Sequence, residues 1–133
     1  MLIDLDRQPG KFKDSIEKLS TENILYISSV TVFELWWGAY YTHIKKKKND
    51  KLKEEFEEFL SAFVIIDVDH EVAIEASTIS VDLQLIGKTI DLHDIYIAGT
   101  AKMLQVPLIT NNIKHFKDIK DLEIIKWPDL SEL

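Results

Sequence analysis

The chain has 133 residues, of which 46% are hydrophobic and 29% charged, a balance that fits one globular domain with its own core. It contains no cysteine, which excludes disulfides, zinc–thiolate sites, iron–sulfur sites and a cysteine nucleophile. No apolar run approaches the length of about 18 residues that a membrane helix needs, and no signal peptide opens the sequence. We therefore expect a cytoplasmic protein.

The formal net charge is −7, whereas proteins that bind nucleic acid by electrostatics alone are usually basic. An acidic protein still acts on nucleic acid when its carboxylates hold divalent cations that face the phosphates. The charge thus argues against passive coating of DNA or RNA and leaves metal-assisted chemistry open.

Short β-prone segments alternate with helical patterns, as is typical of a parallel sheet covered by helices. Gly87 is placed to cap the end of the fourth helix. We predict one domain over residues 1–133, with helices at 15–19, 32–42, 52–63, 71–85 and 92–104, a polar loop at 45–50, and strands at 24–28, 64–66, 107–110 and 122–125. Such sheets bind ligands at the carboxyl ends of their strands.

Glu34 follows the first of these predicted strands, near the start of the next helix. Thr31 and Glu34 have the spacing of a capping box, in which Glu34 only stabilises its own helix. A carboxylate at a helix N-terminus is also kept ionised by the helix dipole and would face the ligand-binding edge of the sheet. The two interpretations are compatible.

Asp91 and Asp94 are three residues apart and therefore share one helical face. Ala98 and Ala101 continue the face of Asp94, and such small residues let the helix approach the sheet closely. An acid on a packed face is costly unless it is paired, capped or bound to metal. We interpret Asp91 first as an N-cap and Asp94, which lies inside the apolar run, as a metal ligand.

Thr110 and the following residues Asn111 and Asn112 come directly after a predicted strand, where either a plain turn or a ligand-binding edge is expected. The four histidines show no metal-ligand spacing, and we interpret them as non-ligands. They are His43, His70, His93 and His115.

The segment 36–41 has the sequence W-W-G-A-Y-Y, which forms two aromatic pairs with a spacing of four residues. One pair belongs to the core, and the other is either core as well or an exposed surface for a protein partner or a dimer. The lysine run at 45–48 is expected to be a solvated loop, with contact to substrate phosphates as the alternative.

Three stretches carry a family resemblance. They are 27–35, a strand–turn–helix segment that contains Glu34; 94–101, D-I-Y-I-A-G-T-A; and 108–116, an apolar strand followed by T-N-N-I-K-H-F. In this order, and with the last predicted strand behind them, they resemble the PIN domain family and, within it, the VapC-like toxins. The resemblance implies a three-layer α/β/α fold with a central parallel sheet.

The resemblance also implies a departure at the start of the chain. Family members open with an apolar strand that ends in Asp, and residues 1–5 (M-L-I-D-L) are similar to the segment on the C-terminal side of that Asp. On this interpretation the first, central strand and its Asp are missing from the given sequence, and neither Asp4 nor Asp6 is an obvious substitute. Either the true start lies upstream, or the chain lacks one metal ligand and a central strand. Asn112 stands where some members carry Asp, and His115 stands where the residue is often acidic.

The function implied by the resemblance is that of an endoribonuclease that uses Mg²⁺ or Mn²⁺, with an antitoxin partner and a homodimeric state. Glu34 and Asp94 would bind the metal directly or through water, and Asn112 would support the metal or the attacking water. Thr110 would orient the site by hydrogen bonding, and Asp91 would be a further acidic residue at the metal. The alternatives are a degenerate PIN-like module without nuclease activity, which binds other proteins, and an unrelated α/β domain.

Overall fold

The computed structural model describes residues 1–5, 13–46 and 51–127, and it shows a five-stranded sheet between layers of helices. The strands are β1 (Leu2–Ile3), β2 (Tyr26–Ser28), β3 (Val64–Ile66), β4 (Leu108–Thr110) and β5 (Ile124–Lys126). The helices are α1 (Lys13–Glu22), α2 (Ser29–Lys46), α3 (Lys51–Leu60), α4 (His70–Leu85), α5 (Leu92–Leu104) and α6 (Ile113–Phe116). No helix within these ranges is long and apolar enough to cross a membrane.

All strands are parallel and follow the order β3-β2-β1-β4-β5, so that β1 lies at the centre of the sheet. Leu2 and Ile3 are fully buried, and the Leu2 N–H donates to the Pro107 carbonyl at 2.9 Å. The expectation that the first strand is missing is therefore wrong. Two residues suffice for this strand because they point to opposite faces of the sheet and each enters a different core cluster.

The core consists of two clusters, one on each face of the sheet. One joins Ile3 to side chains of the first three helices, among them Ile16, Leu35 and Phe56. The other joins Leu2 to side chains of α4, α5 and α6, among them Ile79, Ile97, Ala98 and Phe116. The three-layer α/β/α architecture expected from the sequence is confirmed.

Helix α2 begins earlier than the predicted start at residue 32. Its first turn is capped by Ser28, whose Oγ accepts the Val30 N–H at 3.1 Å. Thr31 lies inside this turn and is not the N-cap, so the expected capping box with Glu34 is wrong. The helix also extends through Lys46 into the predicted loop, while residues 47–50 lie outside the described part of the chain.

Two glycines shape the pair of helices on the α4 side of the sheet. Gly87 has φ 71°, its N–H donates to the Gln84 carbonyl, and the Lys88 N–H donates to the Leu83 carbonyl at 2.9 Å. This Schellman arrangement confirms Gly87 as the end of α4. A Cβ added at Gly99 of α5 would lie 3.0 Å from the Ala76 backbone nitrogen, so only glycine allows α4 and α5 to approach this closely.

We expect Gly99→Ala to lower the free energy of unfolding by about 1–3 kcal/mol, because the added methyl meets backbone that cannot rotate away. Gly38→Ala is the matched control, since a Cβ there meets nothing within 4 Å and alanine favours a helix interior by up to about 1 kcal/mol. Urea unfolding should move the two midpoints in opposite directions. Equal shifts would contradict the close approach of α4 and α5.

Candidate active site: a carboxylate cleft at the sheet edge

A cleft of about 480 Å³ lies at the carboxyl ends of β1 and β4, the edge where parallel sheets bind ligands. Asp4 follows β1, Glu34 lies on α2, and Asp94 lies on α5. The cleft is lined by these three carboxyl groups together with Leu5, Phe33, Leu35, Trp37, Asp91, His93, Asn112 and His115. Residues separated by up to 111 positions in the sequence thus meet at one place.

Asp4 lies at the base of the cleft and is only 9% exposed. Thr110 Oγ1 donates to Asp4 Oδ2 at 2.7 Å, and the same hydroxyl oxygen accepts the Asn112 backbone N–H at 2.9 Å. Burial raises the pKa of Asp4 to about 7, and the carboxylates of Asp94 and Glu34 add to the rise. The Thr110 hydrogen bond and the nearby His115 lower this pKa but do not offset the burial.

Each of the other two carboxyl groups contacts a histidine. His115 Nδ1 lies 2.9 Å from Asp94 Oδ2, and His93 Nδ1 lies 3.1 Å from Glu34 Oε1. Burial raises the pKa of Asp94, while the neighbouring His115 lowers it. The cleft therefore concentrates acidic groups, and the two imidazoles stand beside the two more accessible ones.

The structure brings together most of the residues that the sequence singled out. Glu34, Asp94 and Asn112 line the cleft, as does Asp91, while Thr110 lies beneath it and hydrogen-bonds to Asp4. Asp91 occupies the N-cap position of α5, but its side chain makes no capping hydrogen bond within the described residues. Its carboxylate instead faces the cleft and contributes to the raised pKa of Asp94.

Sequence reasoning rejects Asp4 as a substitute for the first family Asp and treats His93 and His115 as non-ligands, yet all three line the cleft. The interpretation of Asp4 is wrong because a strand of two residues is too short to show a periodic pattern. Its signal was the apolar triplet of residues 1–3 directly before an acid, which is the pattern of a buried parallel strand ending at the binding edge. The histidines have no mutual spacing that signals a site, because each lies beside a different carboxylate.

The donor set of the cleft fits a hard divalent cation, since Asp4, Glu34 and Asp94 offer carboxylate oxygens, which Mg²⁺ and Mn²⁺ prefer. A cation there would also relieve the repulsion that Asp94 and Glu34 exert on a charged Asp4. Across the described ranges, however, no three Asp, Glu or His side chains already form a metal-binding group. Glu34 and Asp94 instead contact histidines. Binding of a cation at this site therefore requires the carboxylate and histidine side chains to rearrange.

Comparison with known proteins agrees with this architecture. The family model of the PIN domain matches residues 2–122. The VapBC2 structure from Rickettsia felis, bound to a DNA fragment from its promoter, superposes with a TM-score of 0.78 at 28% identity and covers 96% of this chain and 100% of that one. The VapBC structure from Salmonella typhimurium gives a TM-score of 0.77 over 96% of this chain and 98% of that one, at 24% identity.

Relatives found by sequence indicate which branch of the PIN-domain family this chain resembles. Ribonuclease VapC2 of Rickettsia felis is 30% identical over 92% of this chain and 89% of its own length. The tRNA(fMet)-specific endonuclease VapC of Salmonella typhimurium is 31% identical over 76% of this chain and 74% of its own length. The chain belongs to the PIN-domain family and, within it, to the VapC ribonucleases.

The buried carboxyl group of Asp4 predicts how stability depends on pH. Between the ordinary pKa of 3.8 and about 7, the folded state keeps a proton that the unfolded state releases. The free energy of unfolding therefore falls as pH rises through this window. We expect Asp4→Asn, which carries no charge, to gain about 4 kcal/mol over the parent chain between pH 4 and pH 8.

Urea unfolding at pH 4, 6 and 8 in the presence of a chelator measures this difference. Glu71→Gln, at an exposed position of α4 that does not line the cleft, is the control for the loss of a carboxylate. A difference between Asp4→Asn and the parent that is the same at all three pH values would contradict the raised pKa.

Proposed function

We propose that this protein is a metal-dependent endoribonuclease of the toxin–antitoxin type that hydrolyses RNA phosphodiester bonds. The observation that carries the proposal is the meeting of Asp4, Glu34 and Asp94, from three distant segments, in one cleft at the binding edge of the sheet. The names of the VapC ribonucleases to which the chain is similar support the same reaction class.

Asp4, Glu34 and Asp94 would hold Mg²⁺ or Mn²⁺, with the Asn112 amide oxygen as a further donor and Asp91 at the rim. When bound, the cation lowers the pKa of water and neutralises charge that develops on the phosphate. Thr110 keeps Asp4 Oδ2 turned toward its own hydroxyl, which leaves the other carboxylate oxygen for the cation. The backbone N–H of Asn112 in turn holds the Thr110 hydroxyl in place.

Asp4 gives the site its own dependence on pH. Its pKa of about 7 means that a large share of the molecules carries a proton on Asp4 at neutral pH, and this proton must leave when the cation binds. His115 and His93 would shift from Asp94 and Glu34 in the same event, because the side chains of the described residues do not yet form a metal-binding group. Cation affinity should therefore rise as pH increases through about 7.

The alternative of an inactive PIN-like module rested on the absence of the first family Asp. Asp4 lies at the end of the central strand and lines the cleft with the other two carboxylates, which removes that reason. The alternative predicts that the chain folds and binds other proteins but cleaves no RNA under any cation.

An antitoxin protein is the proposed partner, because the similar structure from Rickettsia felis is that of a VapBC2 assembly.

The homodimer stays a prediction from the resemblance to the family. Light scattering on the purified chain gives its mass directly, and a mass of one chain across the accessible concentration range would contradict the dimer.

Cleavage assays test the nuclease assignment. We expect the parent chain to cut an RNA mixture in the presence of Mn²⁺ or Mg²⁺, and Asp94→Asn, Glu34→Gln and Asp4→Asn each to lose about 100-fold or more of the rate. Glu71→Gln, whose carboxylate does not line the cleft, is the matched control and should keep the parent rate.

Folding of each variant is checked by circular dichroism, and cation binding by the rise in melting temperature with Mn²⁺. Cleavage by Asp94→Asn at the parent rate, with the variant folded, would refute the assignment of the site. Failure of the parent chain to cleave with any cation would favour the inactive module.

A further inference from the structure

Three aromatic side chains of α2 share one face of the helix and stay about half exposed. Phe33, Trp37 and Tyr41 follow one another at intervals of four residues, with 58%, 47% and 53% of their surfaces exposed. The rings of Trp37 and Tyr41 are stacked, with centroids 5.4 Å apart and planes 5° from parallel. We call these three residues the aromatic face. So much exposed ring surface in one place is typical of a binding site.

The aromatic face is continuous with the carboxylate cleft. Phe33 and Trp37 line the cleft together with Glu34 and Asp94. The rings of Phe33 and His93 also pack in a T-shaped arrangement, with centroids 6.3 Å apart and planes at 72°. A ligand whose phosphate lies at the carboxylates would therefore place its neighbouring groups against these rings.

The charge of the cleft limits how such a ligand is held. No Lys or Arg is found among the cleft-lining residues of the described chain, and the net charge of the whole chain is −7. Cations held by the carboxylates neutralise only the phosphates next to them, so an uncharged attraction helps to hold the rest of a polyanion. Stacking of bases on aromatic rings supplies it, because every base has a flat face and no charge is required.

We infer that the aromatic face is a base-stacking subsite for unpaired nucleotides next to the scissile phosphate, an inference that rests on the proposed nuclease function. Paired bases are already stacked within a duplex, and the grooves of A-form RNA do not expose their faces. The subsite therefore distinguishes unpaired from paired nucleotides at the position next to the cut. Purines, with their larger rings, stack on the subsite more strongly than pyrimidines.

A protein segment is the other class of occupant, since aromatic rings are also enriched at protein interfaces. The position of the aromatic face favours bases, because Phe33 and Trp37 line the same cleft as the carboxylates that would take the scissile phosphate. Binding of a protein segment instead is an outcome of the test.

Binding of fluorescently labelled RNA tests the subsite, in a background of Asp94→Asn so that the probe stays intact. The probes are an unpaired oligoadenylate of about eight nucleotides, the matching oligouridylate and a fully paired hairpin. We expect Trp37→Ala to bind the unpaired oligoadenylate about 10-fold more weakly, and Trp37→Phe to retain most of the affinity. Tyr40→Ala is the matched control, since Tyr40 is an equally exposed aromatic of α2 that does not line the cleft.

A shallow dependence of binding on salt is also expected, because stacking rather than ion pairing holds the strand. Unchanged affinity in Trp37→Ala, or equal losses in Trp37→Ala and Tyr40→Ala, would overturn the subsite. So would tighter binding of the hairpin than of the unpaired strands, or a Trp37→Ala defect confined to binding of a protein partner. Cleavage that depends on Asp94 but not on Trp37 would refute the subsite alone, whereas cleavage independent of Asp94 would refute the proposed function.

Discussion

The carboxyl group of Asp4, buried at the end of the central strand, is the constraint on which the rest of this structure depends. A carboxyl group with 9% exposure is costly unless its surroundings supply hydrogen bonds or opposite charge. Thr110 supplies the hydrogen bond from the neighbouring strand, and Asn112 holds Thr110 from the turn beyond that strand. This requirement explains Thr110 and Asn112 at this edge, whereas Glu34 and Asp94 add to the cost of a charged Asp4.

The layers of the fold decide which groups meet Asp4. Glu34 comes from α2, which packs on one face of the sheet, and Asp94 comes from α5, which packs on the other. Neither helix supplies both carboxylates, so the cleft exists only when all three layers are assembled. The small residues of α5 serve this assembly, because Ala98 and Ala101 are fully buried toward the sheet and Gly99 admits α4.

Local patterns predicted the bounds of some elements correctly and did not predict β1 and α6 at all. Helix α5 and strand β3 have the predicted bounds, and Gly87 ends α4, because periodicity and glycine at positive φ are properties of nearby residues. Strand β1 has two residues and α6 has four, too few for any pattern to be visible. The predicted start of α2 is wrong because Ser28 caps the helix from the end of β2, and the end of a strand is set by its neighbours in the sheet.

By itself, the sequence determined the class of fold and indicated candidate polar residues: alternating elements require a parallel sheet, and Glu34, Asp94 and Asn112 stand where strands and helices turn toward its binding edge. Only the tertiary structure decided that Asp4 completes the set and that His93 and His115 stand beside the other carboxylates. The reason is physical: the burial of a group and its neighbours across the sheet depend on chain segments far apart in sequence. No spacing along the chain encodes those contacts until the layers come together.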